Sequence, residues 1–250
     1  MKKSDFKYPH LFAPIQLGNV LFRNRIFASP TGYQNLNGDG YLNDGAAAYY
    51  GRKAMGGAAS VATFEGIVDG ELGRGGATHI ALDTPNIDRG ISRIAYGISQ
   101  YGAVATLELQ HTGMFANRDL SFFGAEAKGI AYGPVECECA GRKIRPMTEE
   151  IIDRTIQKYI DAALLAKKCG FGMVLVHAGH GWMLHQFLSP ITNTRTDKWG
   201  GPDIENRSRL LLSIVDGIHK ACGAGFPVEV RISGSECYDG AVSYTHLTLP

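Results

Sequence analysis

The chain has 250 residues, 44% of them hydrophobic, and a formal net charge of +1. It is long enough to bury a sizeable core, and its balanced charge gives no electrostatic footprint for nucleic acid or an anionic membrane surface. No apolar run reaches the length of about 18 residues needed to cross a bilayer, and the polar start MKKSDFKYPH lacks the apolar stretch of a secretory signal.

Strand-like and helix-like patterns alternate, as in a parallel α/β fold. Arg25–Ser29 reads as a short buried strand ending at Pro30. Ala46–Met55 reads as a helix broken by Gly56 and Gly57, and Ala58–Glu65 as a second strand. Ile87–Tyr101 has helical spacing with Gly102 as its stop, and Val104–Leu109 is a third strand. Gly113–Arg145 is then a long connection, of the kind that builds the active-site rim of a barrel enzyme. Thr148 is the predicted N-cap of the next helix, with Glu149 and Glu150 where the helix dipole favours acids. Ile152, Ile156, Tyr159, Ala163 and Ala166 form its buried stripe, and Lys167, Lys168 and Gly170 end it. Met173–Val176 is a continuous apolar strand, as expected where both faces are covered. Helix Ile204–Cys222 and strand Val228–Ile232 complete a fifth unit.

A closed (β/α)8 TIM barrel needs about eight such units. Five are found, so the expected fold is an incomplete α/β barrel, the N-terminal part of one, over residues 1–241. Residues 242–250 (VSYTHLTLP) have neither strand alternation nor a helical face, and are expected to be an unstructured or non-native tail on a piece of a longer protein. The five cysteines, Cys137, Cys139, Cys169, Cys222 and Cys237, are too irregularly spaced for a disulfide framework, and Cys137 and Cys139 are too close for the usual zinc pair. A reducing, cytoplasmic setting is expected.

The chemistry is concentrated in Val176–Arg209, VHAGHGWMLHQFLSPITNTRTDKWGGPDIENRSR, at the end of the fourth strand. Polar residues at strand C-termini face the active site of a barrel. His177 and His180 can converge there on one ligand oxygen and polarise a carbonyl. Two other readings compete: a satisfied core histidine, and a metal site that includes His185. No acidic or cysteine ligand sits nearby, so no metal is expected. Gly38-Asp39-Gly40 and Gly73-Arg74-Gly75-Gly76 do not follow the dinucleotide fingerprint between strand and helix, and a phosphate-loop reading is rejected.

This block resembles the strand-four motif of the Old Yellow Enzyme family, in the bacterial branch of 2,4-dienoyl-CoA and 2-enoate reductases. Leu11-Phe12-Ala13-Pro14, Asn24-Arg25-Ile26, Tyr50 with Arg52–Gly57, and Glu108–Gly113 fit in the same order, and the resemblance covers about residues 9–240. It implies FMN at the barrel mouth, NAD(P)H as reductant, and hydride transfer to the C=C bond of an enone or enoate. By the same resemblance His177 and His180 hold the substrate carbonyl. Ser29, Pro30, Thr31, Gly66, Glu108 and Arg231 contact the flavin, and Tyr33 and Trp182 face the substrate. Gly66 stands where a side chain would clash with the flavin ring. Some relatives of this branch add a [4Fe–4S] cluster and FAD beyond the barrel's early strands, outside this chain.

Three residues depart from the family pattern. Glu108 replaces a glutamine, and a carboxylate cannot donate like an amide unless it is protonated. Trp182 replaces the tyrosine that protonates the substrate α-carbon, leaving Tyr33, Tyr132 or water. Gly200-Gly201-Pro202-Asp203 is one residue longer than usual, with Asp203 as a good N-cap. Arg195, Asp197, Asn206 and Arg207 are family-like and read as structural. The rival readings are an amine-oxidising flavin dehydrogenase and a non-catalytic truncated barrel. A small-molecule substrate is expected, without nucleic acid or membrane, and homo-oligomers are compatible with it.

Overall fold

The computed structural model describes residues 7–33, 41–76, 79–116, 130–139, 141–237 and 239–240. The tail at 242–250 and Gly38-Asp39-Gly40 lie outside the described residues. A hairpin of β1 (Ile15–Leu17) and β2 (Val20–Phe22) comes first. There follow β3 (Phe27–Ala28), α1 (Asp44–Met55), β4 (Ser60–Ile67), β5 (Ile80–Ala81), α2 (Ile87–Ser99) and β6 (Val104–Gln110). The long connection holds a small sheet of β7 (Ala131–Gly133), β8 (Cys137–Cys139) and β9 (Arg142–Pro146). Then come α3 (Glu149–Lys168), β10 (Met173–Ala178), the short α4 (Met183–Leu188), α5 (Ile204–Cys222) and β11 (Val228–Ile232).

The main sheet runs β11-β10-β6-β4-β3, all parallel, with β5 added on β4. Spatial order follows chain order, as when a barrel wall is laid down one βα unit at a time. Among the described residues the wall stays open: the sheet ends at β3 and β11, and Val230 and Ile232 of β11 are 37% and 38% exposed. This is the incomplete barrel expected from the unit count.

Local sequence explains the elements. Thr148 Oγ1 accepts the Ile151 N–H at 3.4 Å and caps α3, while Gly170, at φ +92°, turns the chain out of it. Ile152, Tyr159, Ala163 and Ala166 are buried and Ile156 is half-buried against the same core. On α2, Ile87, Ile91, Ile94 and Ile98 make one buried stripe, each side chain contributing about 1.5–3 kcal/mol. Asp203 does stand at the N-cap of α5, but its side chain makes no capping bond; its carbonyl instead accepts the Arg207 N–H at 3.3 Å.

The strands are two-faced. On β6, Ala105, Leu107 and Leu109 join the helix-side core, whereas Thr106, Glu108 and Gln110 alternate with them and are also buried. On β10, Val174, Val176 and Ala178 face the helices, so Leu175 and His177 face the barrel interior. A register irregularity between Ala62 and Glu65 brings Glu65 opposite Glu108.

Arg207 ties down the loop before α5. It is 8% exposed, and donates to the carbonyls of Leu188 at 2.8 Å, Gly201 at 2.8 Å and Pro202 at 2.5 Å. Arg195 likewise donates to Pro134 O at 2.7 Å and Met147 O at 3.0 Å. Arg207→Ala leaves three carbonyls without their donor, and is expected to cost about 2–4 kcal/mol. Urea denaturation measures it, and an unchanged midpoint would contradict this structural role.

Candidate active site

His177 stands on β10 opposite Arg231 of β11 and is 2% exposed. Its Nδ1 accepts the Gly179 N–H at 3.1 Å, so the neutral ring carries its proton on Nε2. Burial, then the charges of His180 and Arg231, push its pKa down to about 3. At physiological pH it is therefore an uncharged donor.

His180 follows in a Gly-His-Gly turn. Its own φ is +56° and that of Gly181 is +78°. A left-handed non-glycine residue costs about 1–2 kcal/mol, and such strain collects at functional sites. The turn is pinned by the His180 N–H to Ser233 Oγ at 3.0 Å. The two imidazoles end 4.9 Å apart between centroids, nearly perpendicular at 78°. Burial, then Arg231, lowers the pKa of His180 as well. His185 is directed elsewhere. Its Nδ1 accepts the Gly181 N–H at 2.8 Å and its Nε2 lies 2.6 Å from Glu236 Oε1, whose other oxygen accepts from Ser189 Oγ at 3.0 Å. With both ring nitrogens engaged it joins α4 to the loop after β11. Among the described residues no three His, Cys, Asp or Glu side chains are grouped to hold a metal ion.

Beneath the pair the interior wall is polar. Glu108 is 1% exposed, with Oε1 at 3.6 Å from Arg231 Nη1 and 4.0 Å from His177 Nε2. Neither of its oxygens has a hydrogen-bond partner, and both amide atoms of the fully buried Gln110 lack one too. Buried polar atoms are nearly always satisfied, so these four are costly groups inside the wall. Burial, with Glu65 nearby, pushes the Glu108 pKa up to about 8. A cavity of about 100 Å³ is lined by Ser29, Pro30, Leu175 and Arg231 among others. A larger one of about 690 Å³ lies between α1 and α2, around Tyr96 and Tyr101, and contains none of these groups.

The remaining expected residues separate. Thr31 is fixed by the Tyr50 hydroxyl to its carbonyl at 2.7 Å and by Lys53 Nζ to its Oγ1 at 3.0 Å. Tyr33 turns its hydroxyl to Asn43 Oδ1 at 2.9 Å, toward α1. Trp182 packs edge-on against Phe115, 5.9 Å between centroids. A Cβ on Gly66 would lie 2.6 Å from Glu108 O and 2.9 Å from Leu82 Cδ1, so strand packing alone requires glycine there. Sequence reading passed over Gln110 and the Glu65–His79 contact at 3.5 Å. The available signal was a glutamate inside an otherwise apolar strand pattern.

The family described as NADH:flavin oxidoreductase / NADH oxidase matches residues 10–246. The chain is 32% identical over 233 residues to an NADH oxidase of Thermoanaerobacter brockii, covering 93% of this chain and 35% of that protein. Among solved structures it resembles a 2-naphthoyl-CoA reductase–2-naphthoyl-CoA complex, with TM-score 0.85 and 29% identity over 94% of this chain and 37% of that one. It also resembles Old Yellow Enzyme from Pichia sp. AKU4542, with TM-score 0.82 and 29% identity over 94% of this chain and 62% of that one. The chain thus spans about a third of the length of the first two. The parallel wall, the histidine pair at the end of β10 and the family match over 10–246 agree: this chain belongs to the NADH:flavin oxidoreductase / NADH oxidase family.

Proposed function

We propose that this chain carries the flavin- and substrate-facing wall of an FMN-dependent oxidoreductase that moves hydride from NAD(P)H to the C=C bond of an α,β-unsaturated carbonyl compound. The observation that carries the reading is the pair of depressed imidazoles, His177 with its free Nε2–H and His180 beside it. Neutral N–H donors suit a carbonyl oxygen, and they disfavour an alkylammonium substrate.

When bound, FMN supplies the hydride chemistry, and the protein supplies orientation and electrostatics. The residues that would hold it are Ser29, Pro30 and Thr31 after β3, Glu108 on β6 and Arg231 on β11, with Gly66 on β4 between them in the sheet order. His177 and His180 bind the substrate oxygen and stabilise the negative charge that grows on it as the β-carbon is reduced. The proton for the α-carbon needs another source, since an indole N–H is no acid at Trp182. Tyr33 is turned to Asn43, which leaves Tyr132 or water. The naphthoyl thioester in the similar reductase makes acyl thioesters the first substrates to try. Five free thiols support a reducing, cytoplasmic setting.

The test is NADH- and NADPH-driven reduction of a panel of enones and enoate thioesters by the purified yellow protein. Reduction of at least one member is expected; bound FMN with no member reduced would refute ene reduction. Trp182→Tyr restores an acidic hydroxyl at the position after His-Gly, and is expected to raise turnover by about tenfold or more, since a placed general acid contributes roughly 10²–10⁴. Turnover that is unchanged or lower would show that the α-carbon proton does not pass through this position.

A further inference from the structure

Glu108 is a carboxyl whose chemistry conflicts with its place. It faces the barrel interior from the middle of the wall, 1% exposed, and both carboxyl oxygens lack a hydrogen bond. The nearest donors stand off: Arg231 Nη1 at 3.6 Å and His177 Nε2 at 4.0 Å, both toward Oε1. These are ion-pair distances at best, and His177 is uncharged. A buried carboxylate with no hydrogen bond and one distant cation is among the costliest arrangements a protein interior can hold.

The surroundings make ionisation harder still. Glu65 of β4 sits opposite Glu108 in register. Glu229 of β11 shares the interior with it, and burial pushes its own pKa up. The Tyr50 and Tyr159 hydroxyls, from α1 and α3, are electrostatically coupled to it and carry no positive charge. His79 is engaged by Glu65 at 3.5 Å. Arg231 is thus the one permanent cation among these groups acting on Glu108, and it acts on the carboxyls of Glu108 and Glu229 together. One guanidinium cannot compensate two such carboxylates with Glu65 opposite one of them, and the least solvated gives up its charge.

A neutral carboxylic acid has one O–H donor and one carbonyl acceptor, the same pair a primary amide offers with NH₂ and C=O. We propose that Glu108 is held as the uncharged acid behind the flavin wall, and that its proton keeps a buried anion from competing for Arg231, so that one proton on this side chain gates flavin binding. The inference rests on the flavin reading above. Loss of the proton leaves a buried anion 3.6 Å from Arg231 that would draw on the same guanidinium, and flavin binding weakens with it. Because burial holds the group up at about 8, the change falls just above neutral pH, where few other side chains titrate.

The experiment is FMN affinity from pH 6.5 to 9.5 for wild type and Glu108→Gln. Wild type is expected to bind with constant affinity below the transition, and to weaken by up to tenfold per pH unit above it. Glu108→Gln, a permanent amide, is expected to bind as tightly as wild type at low pH and to keep that affinity throughout. Wild-type affinity that follows the variant at every pH, or a variant that binds poorly even at low pH, overturns the proposal while leaving the flavin reading intact. Failure of both proteins to bind FMN at any pH overturns both. A second measurement needs no flavin. A carboxyl whose folded pKa is raised stabilises the fold below its ordinary value and loses that contribution as pH rises through the raised one. Glu108→Gln is therefore expected to unfold at higher denaturant than wild type near pH 9, with the two curves converging toward pH 5. A variant less stable at every pH would mean an ionised Glu108 paired with Arg231.

Discussion

Replacing His177 with alanine is expected to slow enone reduction by about 10²–10³-fold, the usual consequence of removing one oxyanion donor, roughly 3–4 kcal/mol in the barrier. FMN is expected to stay bound, because His177 acts on the substrate side through Nε2 while Nδ1 is occupied by the Gly179 N–H. Phenol binding, a readout of the same donor pair, is expected to weaken in parallel. His180→Ala is expected to show a smaller loss, about tenfold to 10²-fold, because His180 is exposed and its contact is partly screened. The pH dependence follows from the same geometry. His177 has a folded pKa near 3, well below its ordinary value. It therefore stays neutral, and His177 is expected to add no step to the rate between pH 5 and 8. Wild-type oxidative rates in both variants, with phenol still bound, would refute the role of the pair.

The second large effect is structural. Asp69, just after β4, is fully buried. Its oxygens accept from Arg154 Nε at 2.8 Å and Nη2 at 3.0 Å, and from the N–H groups of Glu71 at 3.1 Å and Leu72 at 3.0 Å. Burial alone would raise its pKa, but the Leu72 N–H and Arg154 together outweigh it and hold the carboxyl below its ordinary value. Asp69→Ala is expected to cost about 3–5 kcal/mol, since it leaves a cation short of its partner and two amides unpaired. A depressed carboxyl stabilises the fold above its ordinary pKa, and that contribution is lost as pH falls through the folded value. The gap between wild type and variant is therefore expected to shrink in acid. Urea denaturation at neutral and acidic pH checks both points; equal midpoints at neutral pH would show that the clamp contributes nothing.

Much of the architecture was legible along the chain. Helix Ile204–Cys222 and strand Val228–Ile232 were read with the bounds they have in the fold, because a helical stripe, a breaker and an apolar run are local signals. The histidine pair was legible for the same reason: a strand end and a Gly-flanked turn put both rings within one loop. The hairpin of β1 and β2 and the small sheet of β7, β8 and β9 were not, because strands of three to five residues carry too few side chains to show a period.

Sequence by itself therefore determined the fold class, the order of its units, the family and the place of the histidine pair. Tertiary structure decided which face of each strand looks inward. Both faces of a barrel strand are covered, so alternation along β6 does not say whether Leu107 or Glu108 meets the helices. Only the sheet order brings Glu65, Glu108, His177 and Arg231 onto one wall, and only the fold joins Asp69 to Arg154, 85 residues away. The charge and proton state of that wall depend on burial and on neighbours distant in the chain, and no local pattern encodes them. The tertiary contacts thus turned Glu108 from an odd substitution into a buried carboxyl whose pKa is raised by burial and by Glu65.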